Sequence, residues 1–152
     1  MELTSIVSDN SAGGVIGRLH QSRLSNAVAN INELRSAGTY VGGIVGLMAA
    51  YNRLNAHNEN IVSNVNIISD GGRYVGGIVG EVRSDDGTFL RNAYVGYGYA
   101  TGEIFHTGNA DAYVGGLVGS AVSRYDRDRV NLTSMYALNT RVESTEATRV
   151  GK

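Results

Sequence analysis

The residues of this chain that could bind a metal ion or transfer a proton are its histidines and its acidic side chains. The histidines are His20, His57 and His106, and they fall at different points of the repeat pattern described below. A zinc protease requires His-Glu-x-x-His or a comparable cluster, and the sequence contains no such motif. We therefore expect three solvated loop histidines, no metal site and no cofactor.

Two acidic segments are candidates for calcium binding or acid–base catalysis, namely Asp85-Asp86-Gly87 and Asp126-Arg127-Asp128. Calcium takes six to eight oxygen ligands, and each segment offers two carboxylates. We therefore expect solvated turns. Paired carboxylates are also the catalytic groups of glycosidases. A polysaccharide-active enzyme on a β-helix is therefore a distant alternative, although no aromatic subsite is evident near these residues.

Tyrosines at fixed positions of the pattern are the strongest candidates for binding. Tyr40, Tyr74 and Tyr113 each precede a valine and a pair of glycines, so they share one phase. If the valines face inward, the three rings stack as an external ladder, which either binds a sugar or partner protein or only stabilises the fold. Tyr94 and Tyr136 share a second phase.

A glycine block recurs along the chain and indicates what positions these tyrosines. Its form is Gly-Gly-apolar-apolar-Gly, and its four copies are residues 13–17, 42–46, 76–80 and 115–119. A truncated fifth copy begins near residue 150, within Arg149-Val150-Gly151. A block that recurs at this interval is typical of a repeat architecture, and its glycines have a structural role rather than a nucleotide-binding one.

A second block, apolar-x-(Asn or Ser)-apolar-x-apolar, lies between the glycine blocks and indicates strands that bend at the Asn or Ser. Its alignment predicts one internal column of Leu24, Val62, Leu90 and Leu132. It predicts a second column of Ala27, Val65, Ala93 and Met135, and an amide ladder of Asn26, Asn64 and Asn92.

These patterns predict an all-β fold, a right-handed parallel β-solenoid of about four coils with three short strands each. Residues 49–60 and 96–111 are expected to be variable loops. A helix over 22–34 or 48–55 is the alternative, but neither segment has an apolar stripe at helical period. Residues 1–152 form one segment without capping repeats, so we expect a piece of a longer protein whose adjacent repeats are its partners.

Composition excludes several classes of function. The chain has 13 basic and 14 acidic residues, which gives no electrostatic basis for binding nucleic acid. It has no cysteine, which excludes disulfides and thiolate metal sites. No apolar run approaches the roughly 20 residues that span a bilayer, and the first residues of the sequence lead us to expect no signal peptide.

The glycine block followed by the apolar-x-Asn block resembles the GLUG motif repeat of bacterial surface and secreted proteins, including adhesins. Residues 12–19 and 26–29 look like the amino-terminal region of IgA-specific zinc metalloproteases, and residues 135–139 and 149–151 look like the end of GLUG arrays. The resemblance implies an extracellular or cell-surface, non-catalytic module that acts as a stalk or adhesin and binds a host protein or glycan. The alternative that it implies is a substrate-positioning region of such a protease.

Overall fold

Every regular element of the protein is a β-strand in the computed structural model, which describes residues 6–50, 55–84, 92–125, 129–145 and 149–151. No helix occurs in these ranges, so they contain none that could cross a membrane. The strands are β1 (Ile6–Ser8), β2 (Ser11–Gly13), β3 (Ile16–His20), β4 (Arg23–Ser36), β5 (Tyr40–Gly42), β6 (Val45–Ala50), β7 (Ala56–Asp70), β8 (Tyr74–Gly76), β9 (Val79–Ser84), β10 (Asn92–Ala100), β11 (Ile104–Thr107), β12 (Tyr113–Gly115), β13 (Val118–Ser123), β14 (Arg129–Ala137), β15 (Val142–Ser144) and β16 (Arg149–Gly151).

The strands form three sheets that the chain visits in a repeating order. The glycine-block sheet has the order β16-β12-β8-β5-β2, and the connecting sheet has the order β13-β9-β6-β3. The long-strand sheet has the order β1-β4-β7-β10-β14, with β11 and β15 beside it. Neighbouring strands are parallel in all three. Parallel strands stacked coil on coil confirm the β-solenoid, whereas its handedness stays a prediction.

The strands of the glycine-block sheet pair in the register that the sequence predicts. Tyr40, Tyr74 and Tyr113 are successive partners, and the truncated fifth copy pairs Arg149 with Tyr113. Val41, Val75 and Val114 lie inside the solenoid and are at most 2% exposed. The glycine block therefore marks the same point of each coil.

The three glycines of the block at residues 76–80 are required by close backbone contacts of three kinds. A Cβ on Gly76 would collide with the carbonyl oxygen of Val79 in its own coil. A Cβ on Gly77 would collide with the Gly116 carbonyl in the next coil. A Cβ on Gly80 would lie 2.6 Å from the Gly46 carbonyl oxygen in the previous coil. The block thus permits both a tight corner and close stacking.

The long-strand sheet differs from the expected short strands. β4 has 14 residues and β7 has 15. The described parts of the segments expected to be loops are largely strand, because β7 begins at Ala56 and residues 96–111 contain the end of β10 and all of β11. Residues 51–54 of the first segment lie outside the described residues. The period-two pattern of the long strands is hard to recognise in the sequence, because polar residues such as Asn58 and Ser63 face the interior, where both are buried.

The first predicted column on this sheet is wrong in its middle members. Leu24 pairs with Asn58, which pairs with Val95 and then Leu132. Val62 instead lies between Val28 and Tyr99. Leu90 lies outside the described residues.

The second predicted column is wrong in the same way. Ala27 is followed by Ile61, Gly98 and Met135, so only its first and last members were placed correctly. Val65 is buried but pairs with Ile31, and Ala93 is buried but pairs with Ala56. Both middle repeats were aligned several residues away from their true register.

The bend predicted at the Asn or Ser position is present, although its residues differ from those expected. One residue in each coil has a positive φ at this corner, and the four are Asn26, Asn60, Tyr97 and Ser134. The prediction was right for Asn26 and Ser134 and wrong for Asn64 and Asn92. Of the expected amide ladder, Asn26 accepts a 3.1 Å hydrogen bond from Asn60 Nδ2, whereas Asn64 accepts one from Thr101.

On the inner face of the long-strand sheet, aliphatic side chains from successive coils form a continuous column. Its members are Ile6, Leu34, Ile67, Ile104 and Val142. Leu34 and Ile104 are 0% exposed, and Ile67 is 1% exposed. Each side chain packs between its counterparts above and below, so the apolar contacts of this column join residues that are far apart in sequence.

Replacement of Ile104 by alanine should lower the free energy of unfolding by about 2–5 kcal/mol, because it leaves a cavity in a fully buried column. The measurement is the denaturant midpoint at unchanged slope. Val28→Ala is the matched control, since Val28 is 59% exposed on the same sheet, and it should change stability by less than about 0.5 kcal/mol. Equal losses in the two variants would contradict this packing.

The variant Gly77→Val should destabilise the protein at least as much as Ile104→Ala, because a Cβ there meets the next coil's backbone and lies 2.9 Å from the Ala100 Cβ. Thermal unfolding followed by circular dichroism measures the loss. Gly151→Val is the control, since a Cβ on Gly151 meets nothing within 4 Å. A Gly77→Val protein that melts with the wild type would refute the close-approach argument.

Candidate functional site

The tyrosine ladder predicted from the repeat is present. The ring centroids of Tyr40 and Tyr74 are 5.5 Å apart with an interplanar angle of 12°. Those of Tyr74 and Tyr113 are 5.7 Å apart at 26°. These values are typical of stacked aromatic pairs. The parallel register of β5, β8 and β12 places the rings, whereas their role in binding stays a prediction.

Cations flank the ladder and its rings are partly desolvated. The Arg18 guanidinium carbon lies 6.0 Å from the Tyr40 ring centroid, and that of Arg73 lies 5.4 Å from the Tyr74 centroid. Desolvation, and next the negative charge of Glu81, raise the pKa of the Tyr74 hydroxyl. Because both faces of Tyr74 are covered by neighbouring rings, a partner would contact the edges of the ladder rather than its faces.

A second aromatic surface, which the sequence analysis missed, lies on the outer side of the long-strand sheet. Val28, Val62, Tyr99 and Tyr136 are successive partners there. Val28 is 59% exposed, Tyr99 39% and Tyr136 65%, and the corner residue Tyr97 beside them is 56% exposed. This surface is thus an unusually exposed row of large apolar side chains.

The phase assigned to Tyr94 and Tyr136 is wrong. Tyr136 pairs with Tyr99, whereas Tyr94 pairs with His57 and Asn131. The position of the strand corner could have shown the correct alignment of these tyrosines. Aligning Tyr97 with the corner residue Ser134 would have placed Tyr99 beside Tyr136.

A groove with a volume of about 480 Å³ lies between these tyrosines. Tyr97 and Tyr99 of β10 and Tyr136 of β14 line it, together with Val62. Asn60 and Ser134, both corner residues, add an amide and a hydroxyl group. Its volume falls within the roughly 300–1,000 Å³ range of small-molecule sites.

Tyr97 is held at this groove in an unfavourable backbone conformation. Its φ is 55°, in the left-handed region, where the equivalent residues of the other coils are Asn, Asn and Ser. For a bulky side chain this region is rare, and it costs roughly 1–2 kcal/mol. Desolvation, and next the neighbouring Tyr97 side chain, raise the pKa of Tyr94.

The histidines were expected in solvated loops, and this expectation is wrong. All three lie on strands, and His106 is 0% exposed between Ser69 and Ser144. The His57 ring centroid is 5.6 Å from that of Tyr94. Burial, and next the charges of Arg18 and Arg83, lower the pKa of His20.

Metal binding and acid–base chemistry require His, Asp or Glu side chains that converge on one point. Within the described residues, no three His, Asp or Glu side chains converge to hold a metal ion. The candidate acidic segments Asp85-Asp86-Gly87 and Asp126-Arg127-Asp128 lie outside those residues. The absence of a metal site and of hydrolytic activity therefore stays a prediction.

A larger cavity of about 560 Å³ lies between β12, β13, β14 and β16. Leu117, Met135 and Val150 are among the residues that line it. These side chains occupy interior positions of the last described coil. We therefore interpret this cavity as exposed core rather than as a binding site.

No family model matches the chain, and no curated protein or solved structure matches it either. The resemblance to the GLUG motif therefore rests on the glycine and apolar-x-Asn blocks alone. It enters the functional argument as a proposal.

Replacement of Tyr97 by asparagine should raise the free energy of unfolding by about 1 kcal/mol, because asparagine tolerates a positive φ far better than tyrosine. Chemical denaturation measures the difference. Tyr99→Asn is the control: Tyr99 has no positive φ, and asparagine is unfavourable in a strand. If Tyr97→Asn destabilises the protein as much as Tyr99→Asn, backbone strain at Tyr97 is refuted.

Proposed function

We propose that this protein is a non-catalytic GLUG-type solenoid module of a bacterial cell-surface or secreted protein, and that it acts as a stalk or adhesive surface for a host protein or glycan. The observation that carries the proposal is the tyrosine ladder. Tyr40, Tyr74 and Tyr113 come from three separate repeats and stack into one continuous external feature.

The repeat geometry supports the stalk part of the proposal. Each coil pairs with the next through parallel ladders on three sheets, so the stack has no hinge between the described coils that share all three sheets. Repeats that contact only their neighbours form extended scaffolds and elongated binding surfaces. A module of this kind can hold a binding surface at a distance from the cell.

The composition of the ladder supports the adhesive part. Tyrosine supplies a large contact area at low conformational entropy and carries a polar group for hydrogen bonding. Arg18 and Arg73 beside the rings add cationic groups, and arginine and tyrosine are the residue types enriched where proteins bind each other. The ladder thus combines the groups that a host protein or glycan would contact.

Neither alternative from the sequence is favoured by a contact among the described residues. These alternatives are the substrate-positioning region of an IgA-type zinc metalloprotease and a polysaccharide-active β-helix enzyme. Both stay predictions.

The adhesive proposal is tested by surface plasmon resonance of the purified chain over immobilised mucin, fibronectin and IgA. We expect the wild type to bind at least one of them. The triple variant Tyr40→Phe, Tyr74→Phe, Tyr113→Phe should keep the stack but weaken binding at least tenfold, since it removes the hydroxyls at the ring edges. The matched control is Tyr125→Phe, an exposed tyrosine outside the ladder, which should bind as the wild type does.

Two results would count against this function. One is the absence of binding to every surface. The other is hydrolysis of IgA or of a polysaccharide by the purified chain, which would favour one of the enzyme-related alternatives.

A further inference from the structure

The tyrosines of the groove between β10 and β14 are more exposed than those of the ladder. Tyr97 is 56% exposed and Tyr136 is 65% exposed, and with Tyr99 they bound one concave site. In the ladder, neighbouring rings cover both faces of Tyr74 and one face each of Tyr40 and Tyr113. The groove therefore gives a flat ligand exposed tyrosine rings on which it can stack.

The chemistry of the groove matches a sugar. A pyranose ring presents C–H bonds on its faces and hydroxyl groups around its edge. The C–H face packs against an aromatic ring, whose face carries partial negative charge. Asn60 and Ser134 supply an amide and a hydroxyl group beside the rings, where they can hydrogen-bond sugar hydroxyls.

The charge of the groove favours an uncharged ligand. Among the described residues that line it there is no Asp, Glu, Lys, Arg or His. Glu59, which precedes the lining residue Asn60 in β7, forms an ion pair with Arg23 of β4. A site without net charge offers no attraction to sulfated or sialylated chains, to nucleic acid or to a phosphopeptide.

The backbone at Tyr97 gives an independent reason to assign a ligand to this groove. At the same corner of the other coils the residue is Asn or Ser, which is the residue type that the conformation favours. Strained positions that the surrounding structure maintains are concentrated at ligand-binding and active sites.

We infer that the groove formed by Tyr97, Tyr99, Tyr136, Val62, Asn60 and Ser134 is a binding site for an uncharged oligosaccharide. The sugar faces stack on the tyrosine rings, and the sugar hydroxyls bond to the polar groups beside them. This inference goes beyond the proposed function, because it uses a different sheet and does not depend on the tyrosine ladder. Either can fail while the other stands.

The probes are cellotetraose, maltotetraose and a β-galactotetraose, titrated into the purified chain by isothermal calorimetry and by heteronuclear NMR. Sialyllactose and a heparin tetrasaccharide are the charged comparison. We expect at least one uncharged probe to bind, with amide shifts confined to β10, β14 and the corner at Asn60. The charged probes should bind at least tenfold more weakly.

Tyr97→Asn is the decisive variant, because it is expected to stabilise the fold and therefore cannot lose binding by unfolding. It should weaken the binding of the uncharged probe at least tenfold, and Tyr136→Ala should do the same. Tyr97→Phe keeps the ring and should bind within about threefold of the wild type. Tyr125→Ala is the matched control, since Tyr125 is 50% exposed but does not line the groove, and it should leave affinity unchanged.

Three outcomes would overturn the inference. The first is that no uncharged probe binds, and the second is that Tyr97→Asn and Tyr125→Ala bind equally well. The third is that Tyr97 and Tyr136 are needed for binding a host protein whose glycans have been removed, since that result would assign the groove to protein recognition. A loss of ladder-dependent adhesion alone would affect only the proposed function.

Discussion

The structure depends on how closely backbone can approach backbone at the glycine block. In one coil, Gly76 lies against the Val79 carbonyl of its own coil, Gly77 against the next coil and Gly80 against the previous coil, so none has room for a Cβ. These contacts set where each coil turns and how it stacks. Once they are fixed, the register of the glycine-block sheet has no freedom to slip, and the parallel pairing of the other two sheets follows from it.

A fixed register aligns equivalent residues of successive coils into columns. Columns inside the solenoid stabilise it, and columns outside form its surface. Inside, residues such as Leu34 and Ile104 are fully buried and pack coil against coil. Outside, the register of the glycine-block sheet stacks Tyr40, Tyr74 and Tyr113 into a ladder, and that of the long-strand sheet places Tyr99 beside Tyr136. The stability of the solenoid and the display of aromatic side chains therefore have one geometric cause.

Local and tertiary preferences agree along most of the molecule and conflict at Tyr97. The corner conformation suits Asn26, Asn60 and Ser134, whereas a tyrosine there opposes the local preference. Proteins commonly depart from local consistency at sites that carry function, and the departure here coincides with an exposed groove. The ladder shows no such conflict, which is consistent with a large structural contribution from its stacking.

The sequence by itself determined the solenoid class and the pairing of the glycine-block strands, including the stacking of the three ladder tyrosines. It could do so because a steric requirement for glycine admits no substitute, so the pattern is visible in every copy. It also determined that a bend occurs near an Asn or Ser, and it identified Asn26 and Ser134.

Only the tertiary structure decided the register of the middle repeats on the long-strand sheet. There, Asn58 and Ser63 face the interior and a tyrosine occupies a left-handed corner, so neither hydrophobic period nor residue type marks the alignment. Val62 was therefore expected inside although it lies on the outer column, and segments that form strands were expected to be loops. The groove could not be predicted from the sequence for the same reason, since its tyrosines become neighbours only when β10 and β14 pair in their true register.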